Sequence, residues 1–249
     1  MTRLGSALFN ADHGRLADEL RRAEAADIDF FHFDIFDGTL VPDLAFPPRT
    51  MEALRPLTKK PFEVHLVSAT PLKHLAALKH AGADLVFLPA EACPMMYESI
   101  YAVKELGLRA GLCLALGTPL EALWPVLPLL DSVLLLARVT GEGTRGRAFN
   151  PLVLDRVRAV RAALDEKKLA ADLQAAGGIE LDNASACVLA GARSIPLGGG
   201  LHREKNLAVY VKRLRASLAP VADADAAPSP RSIQTPRRRH RGSSSGIAP

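Results

Sequence analysis

The sequence predicts a single (β/α)8 barrel over residues 1–218, and three observations carry that prediction. Apolar runs suited to strands alternate with amphipathic stretches suited to helices. Eight such pairs follow one another at near-constant spacing within roughly 215 residues, the compact end of the size range of this fold. A doubly wound sheet would share the alternation. However, no G-x-G-x-x-G follows the first strand candidate, and no change of composition indicates a second domain.

The strand candidates are short and rich in branched apolar residues, as strands buried on both faces are. In chain order they are Arg3–Phe9, Ile28–Phe36, Pro61–Val67, Asp84–Leu88, Arg109–Leu114, Ser132–Ala137, Leu169–Ala175 and Arg193–Leu197. The helix candidates between them have apolar residues at helical spacing, and several begin at Pro or just after Thr, Asn or Asp. They are His13–Ala25, Arg49–Leu54, Pro71–His80, Met95–Leu106, Pro119–Val126, Pro151–Leu164, Asn183–Ala190 and Glu204–Leu218.

Composition and charge indicate a cytoplasmic enzyme. Cys93, Cys113 and Cys187 are scattered and lack C-x-x-C spacing, which argues against a disulfide framework and against structural zinc. We find no signal peptide and no apolar run that would span a membrane. Residues 219–249 hold five arginines and two aspartates, which leaves 26 bases against 25 acids in the rest of the chain. We therefore expect no nucleic-acid partner for the barrel.

Residues 219–249 are predicted to form a disordered basic tail. This segment is rich in Pro, Ser and Arg and has few large aliphatic side chains. It cannot bury enough apolar surface to offset the entropy lost on ordering. The basic cluster Arg237–Arg241 suits RNA or an acidic surface, although an inert solvated tail is the favoured interpretation.

Three polar side chains interrupt the buried strand candidates and predict a metal site. His32 and Asp34 stand two apart in the second strand candidate, so they point to the same face, and His65 lies in the third. All three fall near the C-terminal ends of their strands, where parallel barrels bind ligands. Two imidazoles and one carboxylate suit a divalent transition metal with open positions for substrate oxygens. The alternative is that they are core residues satisfied by hydrogen bonds.

Glycine clusters after the last two strands predict a phosphate site. Gly177 and Gly178 follow the seventh strand candidate, and Gly198 and Gly199 follow the eighth. Barrels commonly bind a substrate phosphate there, because bare backbone N–H groups offer donors to an anion. Each cluster alone would also suit a tight turn, but their occurrence after both strands favours phosphate. The long polar loop Thr140–Phe149 suits a mobile lid, and its Gly146 is a further candidate phosphate contact.

Residues 5–216 resemble ribulose-phosphate 3-epimerases. The stretches that carry the resemblance are FHFDIFDGTLVPDLAFPP, PFEVHLV, AGAD and GTPLEAL. The resemblance implies a barrel of the ribulose-phosphate-binding type, a phosphorylated ketose substrate and epimerisation at C3 through a metal-stabilised enediolate. It assigns His32, Asp34 and His65 as ligands of a divalent cation (Zn, Fe, Mn or Co) and Asp34 also as the first acid/base. Because barrel enzymes often pair, we expect a homo-oligomer.

The chain departs from the family pattern on one side of this predicted site. Ala176 stands where the family has a second aspartate, which serves as fourth metal ligand and second acid/base. Asp172 is four residues back on the same strand, roughly 13 Å toward the other end of the barrel. Three arginines that follow the sixth strand, Arg138, Arg145 and Arg147, are available to bind an extra anionic group.

Three functions remain open at this point. The first is an epimerase-like isomerase of a phosphorylated ketose, with Asp34 as the base. The second is a related metal-dependent barrel enzyme with one-sided chemistry, for which one base suffices. The third is a catalytically dead homologue that binds a sugar phosphate, which Ala176 would favour.

Overall fold

Eight parallel strands close into one barrel, with neighbours paired in chain order and the last strand beside the first. The structure is a computed structural model that describes residues 1–139 and 148–224, with side chains through Leu218. It confirms the predicted fold class. Within the described ranges, no helix combines the length and the apolar character needed to cross a membrane.

Each strand overlaps the candidate predicted for it. The strands are β1 Arg3–Ala7, β2 Phe30–Phe36, β3 Phe62–Val67, β4 Leu85–Pro89, β5 Arg109–Leu114, β6 Ser132–Leu136, β7 Asp172–Ala176 and β8 Ser194–Leu197. Phe31 and Phe33 of β2 and Phe62 of β3 are among the largest fully buried side chains, with Phe33 packed 4.6 Å from Phe62 between ring centroids. These three rings belong to the core between barrel and helices, so the opposite strand faces, which carry His32 and His65, are left to the interior.

The helices form the outer layer. They are α1 Leu16–Ala25, α2 Pro48–Leu54, α3 Leu75–His80, α4 Met96–Glu105, α5 Leu152–Glu166, α6 Ala184–Leu189, α7 Gly199–His202 and α8 Leu207–Ala224. Helix α8 extends to Ala224, past the predicted end of the barrel at Leu218. Residues 225–249, which make up most of the predicted tail, lie outside the described residues.

The predicted helix Pro119–Val126 is wrong. In its place the chain makes two short 3-10 turns, Leu120–Ala122 and Leu127–Leu129. Pro125 and Pro128 remove backbone donors from this stretch, so a continuous α-helix cannot form. The short helix α7 was not predicted either, because glycine-rich sequence is typical of turns.

The strand register brings the predicted metal ligands to one height. Asp34 of β2 pairs with His65 of β3, and Ala7 of β1 pairs with His32. Across the barrel, Leu136 of β6 pairs with Ala176 of β7. Ala7, Leu136 and Ala176 end their strands, and Asp34 and His65 lie two residues before the ends of theirs. His32 lies in the middle of β2, but its pairing with Ala7 brings it to the same mouth.

The opposite end of the barrel interior is closed by an ionic cluster. Glu63 is fully buried and accepts hydrogen bonds from Arg3 at 2.8 Å and from Gln174 at 2.7 Å. Asp172 joins it, with Arg3 at 3.2 Å and Ser194 at 2.6 Å. A buried carboxylate is tolerated only with such partners. These contacts hold Asp172 at the end of the barrel opposite the mouth, as the strand spacing predicted.

Candidate active site

A cavity of about 850 Å³ opens at the C-terminal ends of the strands. Seven of the eight predicted site residues line it, namely His32, Asp34, His65, Gly177, Gly178, Gly198 and Gly199. The eighth, Gly146, lies outside the described residues, as do Arg145 and Arg147. The sequence-based prediction therefore converges on one place in the fold.

His32, Asp34 and His65 form a compact cluster in the wall of this cavity. His65 Nδ1 lies 3.0 Å from Asp34 Oδ1, and His32 Nε2 lies 3.6 Å from the same oxygen. One potential ligand atom from each residue lies within 4.8 Å of the others. In the described part of the chain, this is the one such group of His, Cys, Asp or Glu side chains.

The cluster shifts the pKa values of its members. Burial disfavours the Asp34 carboxylate, but the hydrogen bonds and charges of His32 and His65 outweigh that effect and hold the pKa of Asp34 below its usual range. Burial also disfavours a charged His65. The hydrogen bonds with Asp34 and Cys113 and the charge of Asp34 oppose it and raise the pKa of His65 to about 9. Without a metal, the cluster therefore favours a carboxylate beside a protonated imidazole.

The cluster fits a divalent metal ion. His32 Nδ1 is buried and has no hydrogen-bond partner among the described residues, which is costly for a polar atom unless another group binds the ring. Two imidazoles and one carboxylate, with open positions toward a cavity, are a donor set typical of divalent transition metals. A cation there would replace the proton on His65 and would relieve the cost of burying Asp34.

Cys113 is a neighbour of the cluster that the sequence-based prediction missed. Its Sγ lies 3.3 Å from His65 Nε2, so the ring of His65 is held from β5 on one side and by Asp34 on the other. Burial raises the pKa of the Cys113 thiol. The signal in the sequence was a single polarizable residue near the end of the fifth strand. It did not indicate a contact with a histidine on β3.

The glycine turns form another part of the cavity wall. Gly177 and Gly178 have φ values of +105° and +69°, which few other residues adopt. A Cβ on Gly177 would lie 2.8 Å from Arg138 Cγ, and a Cβ on Gly178 would lie 2.8 Å from the backbone N of Phe149. Turn geometry and close packing therefore both require glycine here, whether or not an anion binds.

Two charged residues in the cavity wall, Glu180 and Arg203, were not predicted as site residues. Arg203, just after α7, donates a hydrogen bond to Glu180 at 2.6 Å, and both line the cavity. The Arg203 side chain is 69% exposed, so it is accessible to a ligand. Nothing in the sequence pattern separated it from an ordinary surface arginine.

A buried hydrogen-bonded chain holds α7 against the barrel. His202 Nε2 lies 3.1 Å from Ser6 Oγ, and His202 Nδ1 lies 3.1 Å from Glu19 Oε2. Ser6 is fully buried, and the His202 side chain is 2% exposed. Gly198 and Gly199 come just before His202 in the sequence. The hydrogen bonds of His202 therefore fix the turn that these two glycines form.

The predicted departure from the family pattern at position 176 also lies at this cavity. Ala176 lines it and is 8% exposed. Among the described lining residues, Asp34 and Glu180 are the ones with carboxylates, and Glu180 is bound to Arg203. Neither stands in for an acid at position 176.

Fold and site together define a (β/α)8 barrel with a candidate metal centre at the carboxyl ends of its strands. Residues 3–202 match the family model described as the Ribulose-phosphate 3 epimerase family. The chain belongs to the ribulose-phosphate 3-epimerase family, which confirms the resemblance found in the sequence.

Curated relatives agree with this assignment. The chain is 34% identical over 216 residues to the ribulose-phosphate 3-epimerase of Synechocystis sp., covering 86% of this chain and 93% of the relative. It is 32% identical to the Bacillus subtilis enzyme of the same name, covering 87% of this chain and all of the relative. In fold, it matches 3-hexulose-6-phosphate synthase from Salmonella typhimurium with a TM-score of 0.66, at 16% identity over 89% of this chain and 100% of the other.

Proposed function

We propose that the chain is a metal-dependent isomerase of the epimerase type that acts on a phosphorylated ketose, with Asp34 as the group that moves the proton beside the carbonyl. One observation carries the proposal: Asp34 lies between His32 and His65 in the wall of the cavity that also contains both glycine turns. The relatives named ribulose-phosphate 3-epimerase support a ketopentose phosphate as the first substrate to test.

Asp34 suits the role of base. It is ionised at neutral pH and so has a site for the proton, and because its lowered pKa makes it a weak base, the C3 proton would have to be acidified by a cation on the neighbouring substrate oxygens. Its hydrogen bond with His65 fixes the direction of the carboxylate, and the side chain is 15% exposed toward the cavity. Removal of the C3 proton by Asp34 would leave an enediolate, and return of the proton to the opposite face would complete epimerisation.

We propose His32, Asp34 and His65 as the residues that hold a divalent cation, with Zn, Fe, Mn and Co as candidates. Bound there, the cation would supply positive charge to the substrate oxygens as negative charge develops on them. The chain's own contribution is to orient the ligands: Cys113 Sγ contacts His65 Nε2, which leaves Nδ1, on the Asp34 side of the ring, to hold the cation.

The phosphate end of the substrate is proposed to lie against Gly177, Gly178, Gly198 and Gly199. Exposed backbone N–H groups in such turns are suitable donors to an anion, and Arg203 adds a cation at the rim. Gly146 stays a predicted contact. On the sequence grounds given above, we also propose a cytoplasmic homo-oligomer, and light scattering of the purified protein would test the assembly.

Ala176 favours a second candidate function. Inversion needs a proton donor on each face of the enediolate, and alanine cannot donate one. One-sided chemistry, in which Asp34 both removes and returns the proton, needs no group at position 176. The two candidates differ in a measurable way, because one-sided exchange leaves the configuration at C3 unchanged.

Solvent exchange tests both candidates. Metal-loaded protein is incubated in deuterated water with ribulose 5-phosphate and, separately, with xylulose 5-phosphate, and C3 is followed by NMR. We expect deuterium at C3. Interconversion of the two sugars supports the epimerase, whereas exchange without interconversion supports one-sided chemistry. Absence of exchange with both sugars would contradict the proposed function.

A further inference from the structure

We infer that a second, apolar compartment at the mouth of the barrel binds an apolar substituent on the carbonyl end of the substrate. The preferred ligand is then a phosphorylated ketose whose carbonyl carries an alkyl group where ribulose 5-phosphate carries a hydroxymethyl group. This inference rests on the proposed function and specifies its substrate class. Three features carry it: the position of the compartment, its contact with the metal cluster, and the chemistry of its wall.

The apolar compartment has a volume of about 320 Å³ and lies at the carboxyl ends of β3, β4, β5 and β6. It is distinct from the cavity of about 850 Å³ that contains the metal cluster, the main cavity. The larger apolar side chains in its described wall are Leu40, Val41, Val67, Leu116, Leu136 and Val139. Val67 and Leu136 are 4% and 8% exposed, so the floor of the compartment belongs to the packed interior of the barrel.

The compartment lies on the side of the barrel opposite the glycine turns. In a closed barrel of eight strands paired in chain order, β3 faces β7 and β4 faces β8. The glycine turns follow β7 and β8, whereas His32, Asp34 and His65 stand on β2 and β3. A ligand with its phosphate at the glycine turns and its carbonyl at the cluster therefore extends its remaining atoms toward the compartment.

The compartment adjoins the metal cluster directly. His65 and Leu136 line both this compartment and the main cavity, so the two spaces meet at these side chains. His65 turns Nδ1 toward Asp34 and Nε2 toward Cys113, and Cys113 lines the compartment. The atoms attached to a carbonyl that is held at the cluster are therefore the ones next to the compartment.

The polar groups in the compartment wall already have partners. His65 Nε2 lies 3.3 Å from Cys113 Sγ. Glu91, exposed at the rim, accepts hydrogen bonds at Oε1 from the backbone N–H of Ala115 at 2.8 Å and from the hydroxyl of Thr118. Burial of a hydroxyl without a new partner is costly, whereas each buried CH2 improves affinity by about fourfold. The compartment therefore selects an alkyl group over a hydroxyalkyl group.

Three amide probes with the same phosphate end test the inference. In 4-phospho-D-erythronamides an amide carbonyl replaces the ketone of ribulose 5-phosphate, and the N-substituent extends from that carbonyl. The probes are the N-methyl, N-butyl and N-(3-hydroxypropyl) amides, and the last two substituents have equal numbers of heavy atoms. The proton beside an amide carbonyl is much less acidic than that beside a ketone, so calorimetry with metal-loaded protein measures binding alone. We expect the N-butyl amide to bind at least about 10-fold more tightly than the N-methyl amide, and the N-(3-hydroxypropyl) amide to stay within about threefold of the N-methyl amide.

Variants separate the compartment from the phosphate end. Ala115→Leu occupies space in the compartment, so it should lower the affinity for the N-butyl amide to about that for the N-methyl amide. Leu116→Gln makes the wall polar and should reduce the same preference. Arg203→Gln is the matched control, and it should weaken all three probes by the same factor. Thermal melting shows that each variant is folded, and Leu116→Gln, at a half-buried position, keeps the test valid if Ala115→Leu does not fold.

Each outcome decides the question. A preference for the N-butyl amide that is lost in Ala115→Leu or in Leu116→Gln supports the inference. Equal binding of the N-methyl and N-butyl amides, tightest binding of the hydroxypropyl amide, or a preference unchanged in both variants overturns it while the proposed function stands. Failure of all three amides to bind the wild-type protein also overturns it, and solvent exchange with the two pentulose phosphates then decides whether the proposed function falls as well.

Discussion

At the scale of single residues, His65 links the metal site to pH. A proton and a metal ion compete for the same imidazole, and its pKa is raised to about 9. The metal affinity should therefore rise by about tenfold per pH unit from pH 7 and level off near pH 9. Competition titration with a chelator at pH 7, 8 and 9 measures this.

The variant Cys113→Val is the matched control for the effect of pH. It removes the sulfur that lies 3.3 Å from His65 Nε2 and so lowers the pKa of His65. The affinity of this variant should level off at a lower pH than that of the wild type. Equal metal affinity of the wild type at pH 7 and pH 9 would show that His65 is not a ligand, or that its pKa is not raised.

Ala176 is the second residue whose role can be tested alone. An aspartate at this position would project into the cavity as a fourth ligand and a second proton donor. We expect Ala176→Asp to increase metal affinity by about 10-fold or more and inversion at C3 by roughly 10²- to 10⁴-fold. Metal titration and NMR measure the two effects.

The variant Ala176→Asn provides the control, because it adds similar volume without a carboxylate. It should change neither metal affinity nor inversion in the same way. If Ala176→Asp gives no gain in either measurement, the site has been remodelled beyond the loss of one acid, and the one-sided function gains support.

At the scale of elements, the contact between α7 and the barrel makes a prediction about stability. Burial and the charge of Arg22 outweigh Glu19 and lower the pKa of His202, so the folded protein favours the neutral imidazole. His202→Leu leaves Ser6 and Glu19 without this partner and should cost about 2 to 3 kcal/mol at pH 8. Urea denaturation measures the loss.

The sign of the pH dependence follows from the lowered pKa. The unfolded chain binds more protons than the folded chain as the pH falls through about 6.5, so the contribution of His202 is present above that pH and is lost below it. The difference between wild type and His202→Leu should therefore shrink between pH 7 and pH 5. The control is His80→Leu, at a histidine that is 78% exposed, and it should stay within about 0.5 kcal/mol. A pH-independent difference would contradict the assignment.

At the scale of the whole molecule, the barrel should be stable without residues 225–249. The core includes Leu214 and Leu218 of α8, which are 0% and 4% exposed, so these core residues of the closing helix lie before the truncation. We expect removal of residues 225–249 to change Tm by less than about 2 °C. Truncation after Val211 is the control, and it should be strongly destabilising because it removes both leucines. A large drop in Tm for the first truncation would show that the tail docks on the barrel.

The sequence predicted features that repeat along the chain or lie within one motif. Alternation of apolar strands and amphipathic helices predicted the barrel, and the spacing of His32 and Asp34 placed both on one face of β2. The periodicity of apolar residues alone could not show that prolines would replace the predicted helix Pro119–Val126 with 3-10 turns. It also could not find the contact of Cys113 with His65 or that of His202 with Ser6, because these pairs are distant in sequence and meet only when the barrel closes.

The most direct test of the central claim is the release of deuterium from ribulose 5-phosphate labelled at C3 by metal-loaded protein. The wild type should release the label to water. Asp34→Asn should release none while it still binds D-arabinitol 5-phosphate, because the phosphate end of the cavity is unchanged. Release at an equal rate from both proteins, each with the same metal content, would contradict the assignment of Asp34 as the group that moves the proton.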